Sequence, residues 1–169
     1  MGVAPEVRYR SGGTAHYLAT DTFSLEQGHR CLVHAGAGGV GLLLTQIATM
    51  RGAYVVTTVG SEEKAELSRG AGAHEVIVYT EVDFKDALED SLGPHALDVV
   101  YDGVGAATFD KSLDLLRPRG MMVTFGNASG PVEPSSSSAR PSSCWRSPPL
   151  TKTAASSTAS AAATSIRWR

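Results

Sequence analysis

The chain has 169 residues, 42% of them hydrophobic, which is enough for about one domain with a buried core. Its formal net charge of -2 excludes a general affinity for nucleic acid or for an anionic membrane. The two cysteines, Cys31 and Cys144, form no C-x-x-C pair and indicate neither a zinc site nor a disulfide framework. We recognise no signal peptide and no bilayer-spanning apolar run, and we expect a cytoplasmic protein without a membrane partner.

Strand and helix patterns alternate along most of the chain. Residues 1–13 predict no element, residues 14–19 the end of a helix, and residues 21–28 a loop. The predicted strands cover residues 30–35, 54–59, 75–79, 97–101 and 121–125. The predicted helices cover residues 39–51, 62–70, 83–92 and 106–116, and a loop at 126–131 follows the last strand.

This alternation predicts an α/β fold with a doubly wound, Rossmann-like parallel sheet in the strand order 3-2-1-4-5. Nothing after Pro134 predicts a sixth strand, so we expect the sheet to lack one.

Residues 135–169 hold 11 Ser, 7 Ala and 4 Thr, with five basic and no acidic side chains. They lack the apolar groups that would offset the entropy lost on ordering. We therefore divide the chain into a lead-in (1–10), a dinucleotide-binding domain (11–134) and a disordered tail (135–169). The abrupt change in composition raises the hypothesis that the tail is translated out of frame.

The most informative stretch is 30–41, where an apolar strand leads into the spacing G-x-G-x-x-G at Gly36, Gly38 and Gly41. Strand, glycines and helix in this order indicate a dinucleotide-binding turn, and the alternative is a glycine-rich turn without a ligand. We assign Gly36 to the tight turn, Gly38 to the approach of a pyrophosphate, and Gly41 to close packing of helix on strand. The N–H groups and dipole at the helix start favour a negative ligand.

The end of the second predicted strand indicates which dinucleotide binds. Sites for NAD carry an Asp or Glu about 20 residues after the glycines, where it binds the ribose 2′-hydroxyl. Gly60 occupies that point here, Ser61 is the predicted N-cap, and Lys64 lies one turn into the helix. This arrangement favours a 2′-phosphate and therefore NADPH. The alternative is that Glu62 or Glu63 faces the ribose, in which case NADH is preferred.

Six stretches occur in the order found in one known family. They are TAHYL (14–18), LVHAGAGGVG (32–41), VGSEEK (59–64), DVVYDGVG (98–105), LRPRG (116–120) and FGNASG (125–130). With these stretches, residues 11–134 resemble the cofactor domain of the zinc-independent quinone oxidoreductase branch of the medium-chain dehydrogenase/reductase superfamily. The resemblance implies hydride transfer from NADPH to a small-molecule quinone or another α,β-unsaturated carbonyl, without a metal. Because the cofactor carries the hydride chemistry, we assign no catalytic residue.

The resemblance also implies which residues bind the cofactor. Three groups match the pyrophosphate turn, the adenine ribose with its 2′-phosphate, and the nicotinamide half: Gly38, Gly39, Val40 and Gly41; Gly60, Lys64 and Tyr79; Val104, Gly105, Phe125, Gly126, Asn127 and Ser129. Tyr79 has the alternative role of packing at a strand end. We interpret Asp102 as a turn-stabilising residue. The scattered histidines, His34 among them, are interpreted as structural or surface residues.

Family members also have a barrel-like domain that forms the other wall of the substrate cleft. They have a sixth strand as well, near which the dimer forms. We recognise neither in this sequence, and we expect no family-type homodimer and little or no turnover by this chain alone. Two alternatives stay open: an NADPH-binding fragment without catalysis, and an enoyl reductase unit of a multidomain synthase.

Overall fold

The computed structural model describes residues 5–132 and 164–167, with side chains for residues 10–132. The helices are α1 (Pro5–Tyr17), α2 (Gly39–Met50), α3 (Glu62–Gly70), α4 (Phe84–Leu92) and α5 (Phe109–Leu115), and a π-helical turn (Leu18–Thr22) follows α1. The strands are β1 (Arg30–His34), β2 (Tyr54–Val59), β3 (Glu75–Val78), β4 (Leu97–Asp102), β5 (Leu116–Thr124) and β6 (Thr164–Arg167). None of the helices in this part of the chain is long and apolar enough to cross a membrane.

The first five strands form a parallel sheet in the order β3-β2-β1-β4-β5, which confirms the predicted doubly wound α/β fold. Leu32 of β1 lies level with Val56 of β2 on one side and with Val100 of β4 on the other. Parallel strands end at the same edge of a sheet, so the loops after β1, β2, β3 and β4 meet there. This edge is where the predicted cofactor residues lie.

The sheet has a sixth strand, and here the structure differs from the sequence prediction. β6 pairs antiparallel with β5, with Met122 opposite Ile166. Four residues within a Ser- and Ala-rich stretch give no strand pattern. Pairing at a sheet edge needs only the unpaired N–H and C=O groups that the edge strand offers. The rest of the predicted disordered tail, at 135–163 and 168–169, lies outside the described residues.

The N-terminal helix is longer than the sequence predicts. α1 begins at Pro5, although residues 1–13 gave no helical signal. Ala15, Leu18 and Ala19 are completely buried against the core. Packing of the end of α1 and of the π-helical turn after it therefore supports the glycines and polar residues before them, since tertiary contacts routinely outweigh helix propensity.

Two apolar layers cover the two faces of the sheet, because successive strand residues point to opposite faces. On one face, Cys31, Val33 and Val55 pack with residues of α2 such as Leu44 and Ala48. Cys31 is a buried free cysteine of this layer, and its burial raises the pKa of the thiol to about 12. The other face buries residues of β1, β2, β4, α4 and α5: Leu32, Val56, Val100, Leu88 and Phe109.

The last predicted helix ends earlier, and the following strand begins earlier, than the sequence indicates. α5 ends at Leu115 and β5 already starts at Leu116, through residues 117–120, which the sequence prediction leaves between the helix and the strand. Asp98 accepts hydrogen bonds from Arg117 Nε at 2.5 Å and from the backbone N–H of Arg30 at 2.7 Å. This buried carboxylate thus holds β1, β4 and β5 together at the edge opposite the cofactor residues.

Candidate cofactor site

The glycine turn connects β1 to α2 and has a different basis from the one predicted. The left-handed residue is Ala35, with φ 54°, and not Gly36. Gly36 is required by space, because a Cβ there would lie 2.5 Å from Thr57 Cβ on β2. Its N–H donates to Thr58 O at 3.0 Å and so fixes the turn to the neighbouring strand.

The other two glycines have the positions that the motif predicts. Gly38 is the N-cap of α2, and its N–H donates to Ala35 O at 2.8 Å. A Cβ on Gly41 would lie 2.4 Å from Ala35 O and within 3.0 Å of the Gly36 backbone. Only glycine therefore allows α2 to start this close to the end of β1. Gly39 and Val40 complete the first turn of α2.

A cavity of about 540 Å³ opens at the carboxyl ends of β1, β2, β3 and β4. Five predicted site residues line it: Gly38, Gly60, Lys64, Tyr79 and Val104. The structure thereby places around a single space one residue of the pyrophosphate group, all three of the ribose group and one of the nicotinamide group. The other predicted residues are near this space but do not line it: Gly36, Gly39, Val40, Gly41, Ser61, Gly105, Phe125, Gly126, Asn127 and Ser129.

The cavity wall at the end of β2 combines Gly60, Tyr79 and Lys64. A Cβ on Gly60 would lie 2.7 Å from the Tyr79 hydroxyl, so the phenol ring covers this glycine. Ser61 caps α3 as predicted, because its Oγ accepts from Lys64 N at 3.4 Å. In the part of the chain with described side chains, no carboxylate forms an ion pair with the Lys64 ammonium.

The geometry does not support the alternative in which Glu62 or Glu63 faces the ribose. Glu62 Oε1 accepts from Arg69 Nη1 at 2.6 Å, and Glu66 Oε1 shares the same guanidinium at 2.5 Å. This cluster lies on the exposed surface of α3, and neither Glu62 nor Glu63 lines the cavity.

The loop after β4 is organised by Asp102, which is completely buried. Asp102 Oδ1 accepts from Val104 N at 2.7 Å and Gly105 N at 3.0 Å, and Oδ2 accepts from Thr108 Oγ1 at 2.9 Å. With three donors on its carboxylate, Asp102 stabilises a turn, which confirms the interpretation from sequence. Gly105 has φ 95°, a conformation that favours glycine.

The loop after β5 holds the β4–α5 loop and does not itself line the cavity. Ser129 Oγ donates to Val104 O at 2.8 Å and accepts from Ala107 N at 3.1 Å. A Cβ on Gly126 would lie 2.6 Å from Gly103 O, and one on Gly105 would lie 3.3 Å from Asn127 Cα. The ring of Phe125 lies against Gly103 in the same way. These predicted residues therefore affect the cavity indirectly, because they position the backbone around Val104.

Other residues on the cavity wall were not identified from the sequence. Lys111 forms an ion pair with Asp83, and its ammonium lies 5.9 Å from the ring centroid of Phe84. The hydrogen bond from Lys111 is the main reason that the pKa of Asp83 is lowered, and the N–H of Lys85 adds to it. Thr58 and Thr108 also line the cavity. The signal for Thr58 was its position at the end of β2, and the signal for Asp83 was its position as the N-cap of α4.

His34 lines the cavity as the last residue of β1 and is 1% exposed. Its Nδ1 lies 2.8 Å from Thr58 Oγ1, and its Nε2 lies 2.8 Å from Ser112 Oγ. The ring of Phe84 meets it edge-on at 5.0 Å. Burial lowers the pKa of His34 to about 4, and the Asp102 carboxylate opposes this shift only in part. His34 is thus a neutral, fully hydrogen-bonded histidine.

The comparisons with known proteins agree with this geometry. The family model described as zinc-binding dehydrogenase matches residues 39–152. A 2-haloacrylate reductase of Burkholderia sp. is 45% identical over 123 residues, which are 73% of this chain and 37% of that protein. Quinone oxidoreductase 1 of Escherichia coli K12 is 44% identical over 124 residues, 73% of this chain and 38% of that protein. The chain therefore spans less than two fifths of the length of these relatives.

A solved structure of Escherichia coli quinone oxidoreductase complexed with NADPH superposes with a TM-score of 0.70 and 44% identity, over 73% of this chain and 38% of that one. Among the described side chains, no three His, Cys, Asp or Glu residues gather in a way that could hold a metal ion. These residues do not fit the zinc that the family's description mentions. The chain belongs to the zinc-binding dehydrogenase family and, within it, to the zinc-independent quinone oxidoreductase branch of the medium-chain dehydrogenase/reductase superfamily.

Proposed function

We propose that this chain is the cofactor-binding part of an NADPH-dependent reductase that acts on a quinone or another α,β-unsaturated carbonyl. The observation that carries the proposal is the end of β2, where Gly60 leaves no carboxylate and where no carboxylate among the described side chains forms an ion pair with the Lys64 ammonium on the cavity wall. A 2′-phosphate would meet a cation there, and the carboxylate of Asp83 on the same cavity wall is already paired with Lys111. The relatives named quinone oxidoreductase and 2-haloacrylate reductase support the class of reaction.

The described residues fit a dinucleotide. Gly38 caps α2 on the cavity wall, and the N–H groups in the first turn of this 12-residue helix have no partner within the helix. They would hold the pyrophosphate, aided by the helix dipole. Lys64 would hold the 2′-phosphate, while Tyr79 would lie beside the adenine ribose. Val104, kept in place by Asp102 and Ser129, would border the nicotinamide half.

NADPH, when bound, supplies the hydride for the reaction. The residues of this chain bind the cofactor, orient it and limit the water around its phosphates. Quinones and 2-haloacrylates share a carbon–carbon double bond conjugated to a carbonyl group. Such a bond accepts a hydride because the developing negative charge passes to oxygen, and one proton then completes the reduction. We assign this substrate class and no single substrate.

We further propose that the 169-residue chain by itself binds NADPH and reduces little substrate. A hydride acceptor must be held against the nicotinamide, and this proximity accounts for several kcal/mol of a barrier, about 7–11 kcal/mol at best. The described residues provide the cofactor side of that arrangement. We also propose a cytoplasmic protein and no family-type homodimer, because β6, at the sheet edge where the family's dimer forms, is an antiparallel strand of only four residues.

The test is an NADPH titration, followed by NADPH oxidation with quinones, 2-haloacrylates and enoyl thioesters. We expect saturable binding that is tighter for NADPH than for NADH, together with slow oxidation. Absence of saturable binding would contradict the proposal. Oxidation with enoyl thioesters alone would favour the enoyl reductase alternative, and rapid oxidation with quinones would show that this chain holds the substrate unaided.

A further inference from the structure

A series of hydrogen bonds, linked through the backbones of Thr58 and Thr108, runs along the cavity wall from the glycine turn to the loop after β4, and His34 is at its centre. At one end, Gly36 N donates to Thr58 O at 3.0 Å. The Thr58 side chain meets His34, and His34 meets Ser112. Ser112 Oγ donates to Thr108 O at 2.7 Å, and Thr108 Oγ1 donates to Asp102, which binds the N–H of Gly105.

The direction of these bonds fixes the proton on the imidazole. Ser112 has one hydroxyl hydrogen, and Thr108 O takes it. Ser112 Oγ is therefore an acceptor toward His34, so the proton lies on Nε2. Nδ1 is then the acceptor for the hydroxyl of Thr58, which is 2% exposed. The opposite tautomer would leave the hydrogen of this buried hydroxyl without an acceptor among the described residues, which is costly.

We propose that His34 is a positioning residue that, as the neutral Nε2–H tautomer, holds the glycine turn and the β4–α5 loop in one fixed arrangement. The proposal deepens the NADPH site and rests on the proposed function for its effect on cofactor binding. His34 acts on the two loops through its hydrogen bonds to Thr58 and Ser112.

Few charges act on this imidazole. Asp102 is the carboxylate that favours its protonation, and its oxygens already accept three hydrogen bonds. The other titratable groups on the cavity wall are Lys64, Lys111, Asp83 and Tyr79, and Lys111 is paired with Asp83. Phe84 covers the ring with an apolar edge. Burial therefore outweighs these charges and keeps the ring neutral at physiological pH.

The test needs no cofactor in its first part. Imidazole nitrogen–proton correlation spectra of the full chain should show the His34 proton on Nε2 at pH 7. In His34→Leu, amide hydrogen exchange at Gly36 and Gly105 should accelerate by about tenfold, because one buried hydrogen bond on each side is lost. In His34→Gln, whose amide carries both a donor and an acceptor, exchange should stay near that of the unmodified chain. His74→Leu is the control: His74 accepts from Val55 N and stacks on Tyr54, away from the cavity wall.

The second part measures dissociation constants for NADPH and adenosine 2′-monophosphate. His34→Leu should weaken NADPH binding by about tenfold and leave the monophosphate, which needs only the Lys64 end, nearly unchanged. A proton on Nδ1, unchanged exchange in His34→Leu, or acceleration as large in His74→Leu would overturn the proposal. If the unmodified chain binds neither nucleotide, the proposed function fails, whereas the spectra and exchange rates still decide the role of His34.

Discussion

Gly60 and Tyr79 are in direct contact at the end of β2: a Cβ on Gly60 would lie 2.7 Å from the Tyr79 hydroxyl and 3.1 Å from its Cζ. The tyrosine is 55% exposed, so its ring forms part of the open cavity wall. The absence of an Asp or Glu at position 60 thus has a steric reason besides the electrostatic one. A larger residue would push the Tyr79 ring away from the place proposed for the ribose.

Replacing Gly60 with Ala should weaken NADPH binding because the new methyl group displaces the Tyr79 ring. The far end of a side chain can move, so we expect folding to be retained and affinity to fall by about five- to tenfold. In a Tyr79→Ala background the same substitution should have little further effect. Dissociation constants of the two single variants and the double variant measure this coupling. Strict additivity would show that the contact does not position the ring.

Lys64→Ala should remove most of the preference for NADPH over NADH. A charge-assisted hydrogen bond to phosphate contributes about 1.5–3 kcal/mol, which corresponds to about a ten- to hundredfold preference. NADH has no 2′-phosphate, so its affinity should change little. Lys85→Ala is the matched control, because Lys85 pairs with Asp114 and does not line the cavity. Equal loss of both cofactors in Lys64→Ala would mean that the phosphate is not bound here.

Gly41→Ala should destabilise the fold itself. The new Cβ would lie 2.4 Å from Ala35 O. This oxygen belongs to the backbone of the turn before α2, which cannot move aside as the end of a flexible side chain can. We expect a loss of about 2–4 kcal/mol in the free energy of unfolding, measured by urea denaturation. Gly70→Ala is the control, since a Cβ at this helical glycine meets nothing within 4 Å. Similar values for the two variants would contradict the packing role of Gly41.

His34 should make the protein less stable in mild acid. Burial lowers its pKa from 6.5 to about 4, so the unfolded chain binds a proton over this range while the folded chain does not. Stability is therefore complete above pH 6.5 and decreases as the pH falls toward 4, by about 3 kcal/mol in total. The loss of stability between pH 7 and pH 5 should be smaller in His34→Gln. The pKa of Asp83 is lowered, so the stability that its carboxylate contributes is lost in acid in the unmodified chain and in His34→Gln alike. An identical decrease in the free energy of unfolding of the two proteins would therefore exclude His34 as a source.

The sequence by itself determined the five parallel strands, their order and the sheet edge at which the candidate cofactor site lies. β-branched strand segments that alternate with helical segments can pack only as βαβ units, and their loops then meet at one sheet edge. Gly38, Gly60 and Lys64 could be identified because motif spacing ties them to a strand end, whereas Tyr79 and Val104 were implied by the resemblance to the family. The turn-stabilising role of Asp102 followed from its position next to Gly103.

Contacts between distant segments were decided only by the tertiary structure. Gly36 is required by Thr57 on a neighbouring strand and not by its own turn, whose left-handed residue is Ala35. β6 was missed because edge pairing uses backbone groups, and the start of α1 was missed because its support comes from burial near Leu18. His34 shows the same limit most clearly. Its role depends on Thr58 and Ser112, which are 24 and 78 residues away, and no local pattern records partners at that distance.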